Sequence, residues 1–212
     1  MASLESAPVE LTFQALTPER WHALESLFGE RGACGGCWCM WWVLKRSEFN
    51  QGKGQKNKKA FKNRVASGEI PGLIAFAGDT PVAWCALAPR KQYSTLERSR
   101  ILKPVDEQAV WSVVCFFVAR PFRGQGITKK LLRAAVKYAA ENGARIVEGY
   151  PVEPRSGRMP DAFVYTGLPS MFKSAGFVEV LRRSPTRPIM RYFITPKDKS
   201  KRRTGRRAKE SA

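Results

Sequence analysis

Apolar and polar positions alternate along residues 9–14, the period-two signature of a half-buried strand. Thr17, Pro18 and Glu19 then supply an N-cap, a proline at the first helical position and an acid in the first turn. Trp21, Leu24, Leu27 and Phe28 follow as an apolar stripe. Together they predict a helix over residues 18–28. Residues 30–36 read as loop and 37–43 as a short aromatic strand. Ala60, Phe61 and Val65 among many lysines predict a basic surface helix over 53–67. Residues 72–77 and 81–88 read as two strands of a hairpin around Gly78, Asp79 and Thr80, and 93–102 as a short helix or loop.

The most informative pattern lies between residues 110 and 150. Residues 110–118 are almost wholly apolar, as in a strand covered on both faces. A glycine-rich turn leads into residues 127–141, where Ile127, Leu131, Leu132, Ala135, Val136 and Ala139 form one stripe. Lys129, Lys130, Arg133 and Lys137 face away from it, and Gly143 ends the helix. Residues 145–150 form the next strand. Strand, helix and strand in so short a span make a right-handed crossover with a parallel pair. After a loop-like 153–168 come a short helix at 169–175, stopped by Gly176, and strands at 177–182 and 189–194.

Composition bounds this picture. With 212 residues, 43% hydrophobic and 26% charged, the chain can build one domain with a real core. Its purest apolar run, 113–119, is far shorter than the roughly 20 residues of a membrane helix, and the N-terminus lacks a secretory pattern. Cys85 and Cys115 fall inside apolar strands. An odd total of five cysteines then fits reduced thiols in a cytoplasmic protein better than a disulfide framework.

The chemistry concentrates in Arg123-Gly124-Gln125-Gly126-Ile127-Thr128. A buried strand runs into two glycines, which let a ligand approach the backbone, and then into a helix whose first amides can hold an anion. A dinucleotide fingerprint would need three glycines, and a Walker loop would need Gly-Lys-Ser/Thr. Neither is present.

These residues resemble the GNAT family of acetyl-CoA-dependent N-acetyltransferases, whose donor motif is Gln/Arg-x-x-Gly-x-Gly/Ala. Thr128 stands where Gly or Ala is usual. A second family motif, a short helix ending in Ala-Gly-Phe, is matched by residues 170–177. The resemblance covers residues 9–194 and is strong from 110 to 193. It implies an α/β fold with a mixed central sheet, a splay between the fourth and fifth strands, and flanking helices. It also implies a GNAT domain over 1–194 and a separate basic tail over 195–212. Pantetheine would lie along the backbone of Phe116, Phe117 and Val118, and the amides of Arg123, Gly124, Gln125, Gly126, Ile127 and Thr128 would hold the pyrophosphate of acetyl-CoA. The acyl acceptor would be a small-molecule or peptide amine.

Proton carriers are less plain. Many family members protonate the leaving thiolate with a tyrosine four residues before the glycine of the Gly-Phe pair, and Phe172 occupies that position here. Tyr165 and Ser170 are the nearest polar alternatives, and Tyr165 is taken as the candidate acid. Glu148, on the strand bordering the splay, is the candidate general base, with pairing to one of the many arginines as the competing role. His22 sits on the first helix and reads as a surface or capping side chain.

Cys34, Cys37 and Cys39 have C-x-x-C-x-C spacing and could supply three zinc ligands, but no second finger-spaced pair follows. Packed thiols are the favoured reading and no metal is expected. In the family the segment between the first two helices shapes the acceptor site, so residues 38–42 would line it. Finally, the net charge is +19. Residues 195–212 hold eight Lys/Arg against Asp198 and Glu210, and so carry +6 of it. A second cluster occupies 45–64. The tail and this surface leave an alternative, a GNAT-fold protein that binds nucleic acid or the ribosome non-specifically. Nothing in the sequence specifies oligomeric state.

Overall fold

The computed structural model describes residues 10–155 and 159–199. The chain begins with β1 (Leu11–Ala15), a 3-10 turn at Pro18–Arg20 and α1 (Trp21–Phe28), followed by turns and the basic helices α2 (Arg46–Gly52) and α3 (Gln55–Ala66). The hairpin β2 (Gly72–Ala77) and β3 (Thr80–Pro89) comes next, then the short α4 (Ser94–Glu97). The crossover follows as β4 (Trp111–Val118), α5 (Ile127–Glu141) and β5 (Ile146–Gly149). The chain closes with α6 (Pro169–Ser174), β6 (Val178–Arg182) and β7 (Pro188–Phe193).

The strands form one sheet in the order β1-β2-β3-β4-β5-β7-β6. Every pairing is antiparallel except β4 with β5. The mixed sheet is the expected one, because a helical crossover returns its second strand parallel to the first. Leu131, Leu132, Ala135 and Ala139 of α5 pack on one face of the sheet with Val113 and Phe172. Trp21, Leu24, Trp38, Phe61 and Trp84 build a second core on the other face.

Strand β4 carries the feature that matters for function. Ala86 pairs with Cys115 but Leu87 pairs with Val113, so Val114 is an extra residue, a bulge that bends the strand. Pairing with β5 covers only Trp111–Val113 and Val147–Gly149. Beyond that point β4 leaves β5 and stays with β3 up to Val118. Gly149 marks the parting of the strands: a Cβ there would overlap the ring of Phe172, which is fully buried.

Several expectations are corrected. Residues 37–43 form turns, with Trp38 and Cys39 in left-handed conformations. Alternating burial arose there because tight turns pack large rings inward, with Gly32 pressed against the Trp38 indole. The basic segment holds two helices, because the chain turns at Gly54 (φ +85°), whose N–H donates to Gly36. Thr17 does not cap α1; its hydroxyl instead accepts a bond from Arg20 at 3.1 Å. Past residue 194, Pro196–Lys199 forms a further 3-10 turn. Its Asp198 accepts bonds from the Thr195 N–H and the Tyr192 hydroxyl.

Candidate active site

A cleft of about 740 Å3 opens where β4 and β5 part. Its geometry follows from the β4 backbone. The Ala119 N–H donates to Val82 at 2.9 Å. Alternation along an antiparallel ladder therefore turns Phe117 toward β3, and turns the N–H and C=O of Phe116 and Val118 into the gap. Three of those four groups already have a partner, the Phe116 carbonyl only a long bond from the Cys115 thiol at 3.8 Å. The Phe116 N–H donates to the carbonyl of Tyr165 at 2.6 Å, and the Val118 carbonyl accepts from Arg123 Nε at 3.0 Å. The Phe116 carbonyl and the Val118 N–H remain as an acceptor and donor pair facing the gap.

The glycine turn stands at the end of this strand. Gly124 (φ +77°) and Gly126 (φ +70°) are left-handed, and a Cβ on either would meet nothing within 4 Å. Chain reversal requires them, and their surroundings are open. The amide of Lys129 is the first in α5 to find a helical partner, the carbonyl of Gly126. The amides of Gly126, Ile127 and Thr128 precede it, and no side chain caps the helix. They present the positive end of the helix dipole at the mouth of the cleft, where an anion could be held. Thr128 lines the cleft with Arg123, Gly124, Gly126 and Ile127, so its side chain is accommodated there. Gln125 is exposed and donates to the Pro121 carbonyl, which braces the turn.

Tyr165 also lines the cleft. Burial pushes its hydroxyl up to about 12, so at neutral pH it holds its proton and could serve as an acid but not as a base. Phe172 is buried against Phe116 and Phe177 and supports the floor as packing. Ser170 is exposed, and its neighbour Met171 faces the cleft instead. His22 is exposed, as expected for a surface side chain.

Glu148 lies elsewhere. It is fully buried and is absent from the cleft lining. One carboxylate oxygen accepts from Tyr150 Oη at 2.7 Å and Arg90 Nη1 at 3.2 Å, the other from Arg191 Nε at 2.7 Å. Arg191 continues to Asp106, whose carboxyl it holds well below the usual carboxylate range, and Arg90 donates to the carbonyls of Leu96 and Leu102. Both carboxylate oxygens are engaged by guanidinium and phenol donors away from the cleft. The expected base is thus placed as the centre of a structural ion network that ties β3, β5, β7 and the 94–110 segment together. Sequence spacing could not reveal this, since Arg90 and Arg191 are 58 and 43 residues away from Glu148.

The wall opposite the glycine turn comes from the turns after α1 and from α2. Cys34, Cys37, Cys39, Trp41, Trp42 and Phe49 face the cleft, while Trp38 and Met40 point into the core. Burial pushes the Cys37 thiol up to about 11. The Cys115 thiol alongside, together with burial, holds Cys39 well above the ordinary range. These thiols are protonated and packed, and Cys39 accepts from the Trp84 indole at 3.0 Å. Among the described residues no group of three or more His, Cys, Asp or Glu could hold a metal ion. The basic cluster folds over the aromatic wall: Arg46 lies 5.1 Å from the Trp41 ring centre, Lys53 5.9 Å from Phe49 and Lys58 5.1 Å from Trp38. The tail beyond Lys199 falls outside the described residues. Among the described residues no helix is long and apolar enough to cross a membrane.

Solved structures share this architecture. A PaiA N-acetyltransferase from Thermoplasma acidophilum, determined with coenzyme A, superimposes with a TM-score of 0.50 at 15% identity over 87% of this chain and 99% of its own. A GNAT acetyltransferase from Listeria monocytogenes reaches 0.55 at 10% identity, covering 88% and 96%. A chain of the NatC complex, determined with Gag peptide and CoA, reaches 0.51 at 11% identity, covering 88% and 99%. At these identities the likeness concerns the fold alone. A comparison with curated protein sequences finds no match. Residues 38–154, more than half the chain, match the Acetyltransferase (GNAT) family, and with the parted β4–β5 pair and the glycine turn on α5 in place, the chain belongs to that family.

Proposed function

We propose that this protein transfers an acetyl group from acetyl-CoA directly to a small-molecule or peptide amine. The carrying observation is the continuous line from the Phe116 carbonyl and Val118 N–H to the uncapped amides of Gly126, Ile127 and Thr128. An extended amide chain ending in a pyrophosphate matches that order of groups, and two of the fold neighbours were determined with coenzyme A bound.

The acceptor nitrogen attacks the thioester carbon, a C–N bond forms and the C–S bond breaks. The amine proton leaves to water, and the departing sulfur takes the proton of the Tyr165 hydroxyl, which solvent restores. Arg123, exposed at the turn, adds positive charge beside the phosphates. The cleft geometry suits direct transfer, which gains chiefly from holding both reactants in one orientation.

Calorimetry with acetyl-CoA tests this reading. The wild-type chain should bind saturably. Gly126→Glu should lose at least about 100-fold in affinity, because it adds a carboxylate and a strained left-handed residue at the anion site. A circular dichroism melt establishes that the variant folds. Wild-type protein without saturable binding overturns the reading.

A further inference from the structure

We infer that the acceptor is a weakly basic aromatic amine, uncharged at nitrogen and neutral or anionic elsewhere; the inference rests on the donor reading above. It comes from the wall of the cleft that the donor does not use. Trp41, Trp42, Phe49 and Tyr165 present rings there, and Cys37 and Cys39 present neutral, polarisable thiols. Such a surface suits a flat, apolar body, held by ring–ring and sulfur–ring contact.

Charge narrows the class. No carboxylate lines the cleft among the described side chains, and Glu148 is locked in its arginine network. The charges near the wall are positive: Arg46 over Trp41 and Lys53 over Phe49. Arg187, largely desolvated, has the Thr166 hydroxyl at 3.3 Å and no ion-pair partner among the described residues, and it acts electrostatically on Tyr165. Among the described side chains, a polyamine or a lysine side chain would meet these positive charges and no anion to hold it.

The same absence decides the chemistry. An alkylammonium with a pKa of about 10.4 is neutral in only about one molecule in 2,500 at pH 7. With no base among the described side chains of the cleft, that fraction directly lowers the rate. An aromatic amine arrives already neutral and bears no such loss.

Thiol release from acetyl-CoA by the full chain, with 4-aminobenzoate, aniline, spermidine and a lysine peptide as acceptors, tests the inference. The aromatic amines should be acetylated with kcat/KM at least ten-fold above spermidine and the peptide, and with a rate nearly flat from pH 6 to 8. Trp41→Ala should raise the KM for 4-aminobenzoate about ten-fold and leave acetyl-CoA affinity unchanged. If acetyl-CoA binds but spermidine or the peptide is the better acceptor, or neither aromatic amine is acetylated, the inference fails. Failure of acetyl-CoA binding itself overturns the donor reading instead.

Discussion

The two walls of the cleft are built by opposite means. The wall of β4, the glycine turn and α5 comes from one continuous stretch, shaped by local rules: an apolar strand, two left-handed glycines and an amphipathic helix. The facing wall comes from turns at residues 32–44 that have no regular pattern of their own. They hold their shape because Trp38 and Met40 are driven into the core between α1, α3 and the sheet. A wall built locally can keep its backbone when its surroundings change. A wall built by packing depends on its neighbours, and its chemistry shifts with them.

Beneath both walls the Glu148 network holds the parting strands in register, so removing it is the strongest way to break the comparison. Glu148→Ala should destabilise the fold by about 3–5 kcal/mol, because Arg90 and Arg191 are left buried without their anion. Urea denaturation measures this. A Glu148→Gln protein that stays stable and binds acetyl-CoA yet loses turnover would restore the carboxylate as a base.

Glycine substitutions compare the walls directly. Gly32→Ala meets the Trp38 indole as well as a left-handed backbone (φ +62°), and should cost about 2–4 kcal/mol. Gly124→Ala meets nothing and should cost only the backbone strain, about 1–2 kcal/mol. Equal losses in thermal melts would mean that the facing wall is less tightly packed than its contacts imply.

A pH series probes the thiols. The folded pKa of Cys37, pushed to about 11, exceeds its unfolded value of about 8.5. The unfolded chain therefore loses this proton first. The contribution is full below about pH 8.5 and is lost as pH rises toward 11, on the order of 3 kcal/mol. Cys37→Ala should flatten the fall in Tm between pH 8.5 and 11, and an unchanged slope would contradict the burial.

The smallest effect concerns catalysis. Tyr165→Phe should lower kcat about ten- to thirty-fold while acetyl-CoA affinity stays the same, below the usual hundred-fold or more of a general acid because water can also protonate the thiolate. A greater loss accompanied by weaker acetyl-CoA binding would mean that the ring supports the 165–168 loop, whose carbonyl engages Phe116.

Much of the donor wall was legible beforehand. The helix expected over 127–141 matches α5, the strand over 110–118 lies within a residue of β4, and Gly124 and Gly126 form the expected turn between them. Each follows from the order of neighbouring residues, since backbone conformation and amphipathic period are local properties. The facing wall was misread at 37–43, and α2 was missed. Rings alternating in a packed turn imitate a strand when only burial is considered.

The sequence alone determined the fold family, the glycine turn into α5 and the placement of Cys85 and Cys115 in apolar strands: apolar period, glycine placement and the cysteines' apolar surroundings are written into consecutive residues. Only the tertiary structure decided the fate of Glu148, the neutrality of the Cys37 and Cys39 wall, and the bond from Phe116 to Tyr165. Those depend on which charges and rings meet across tens of residues, where burial and electrostatics follow distance in space.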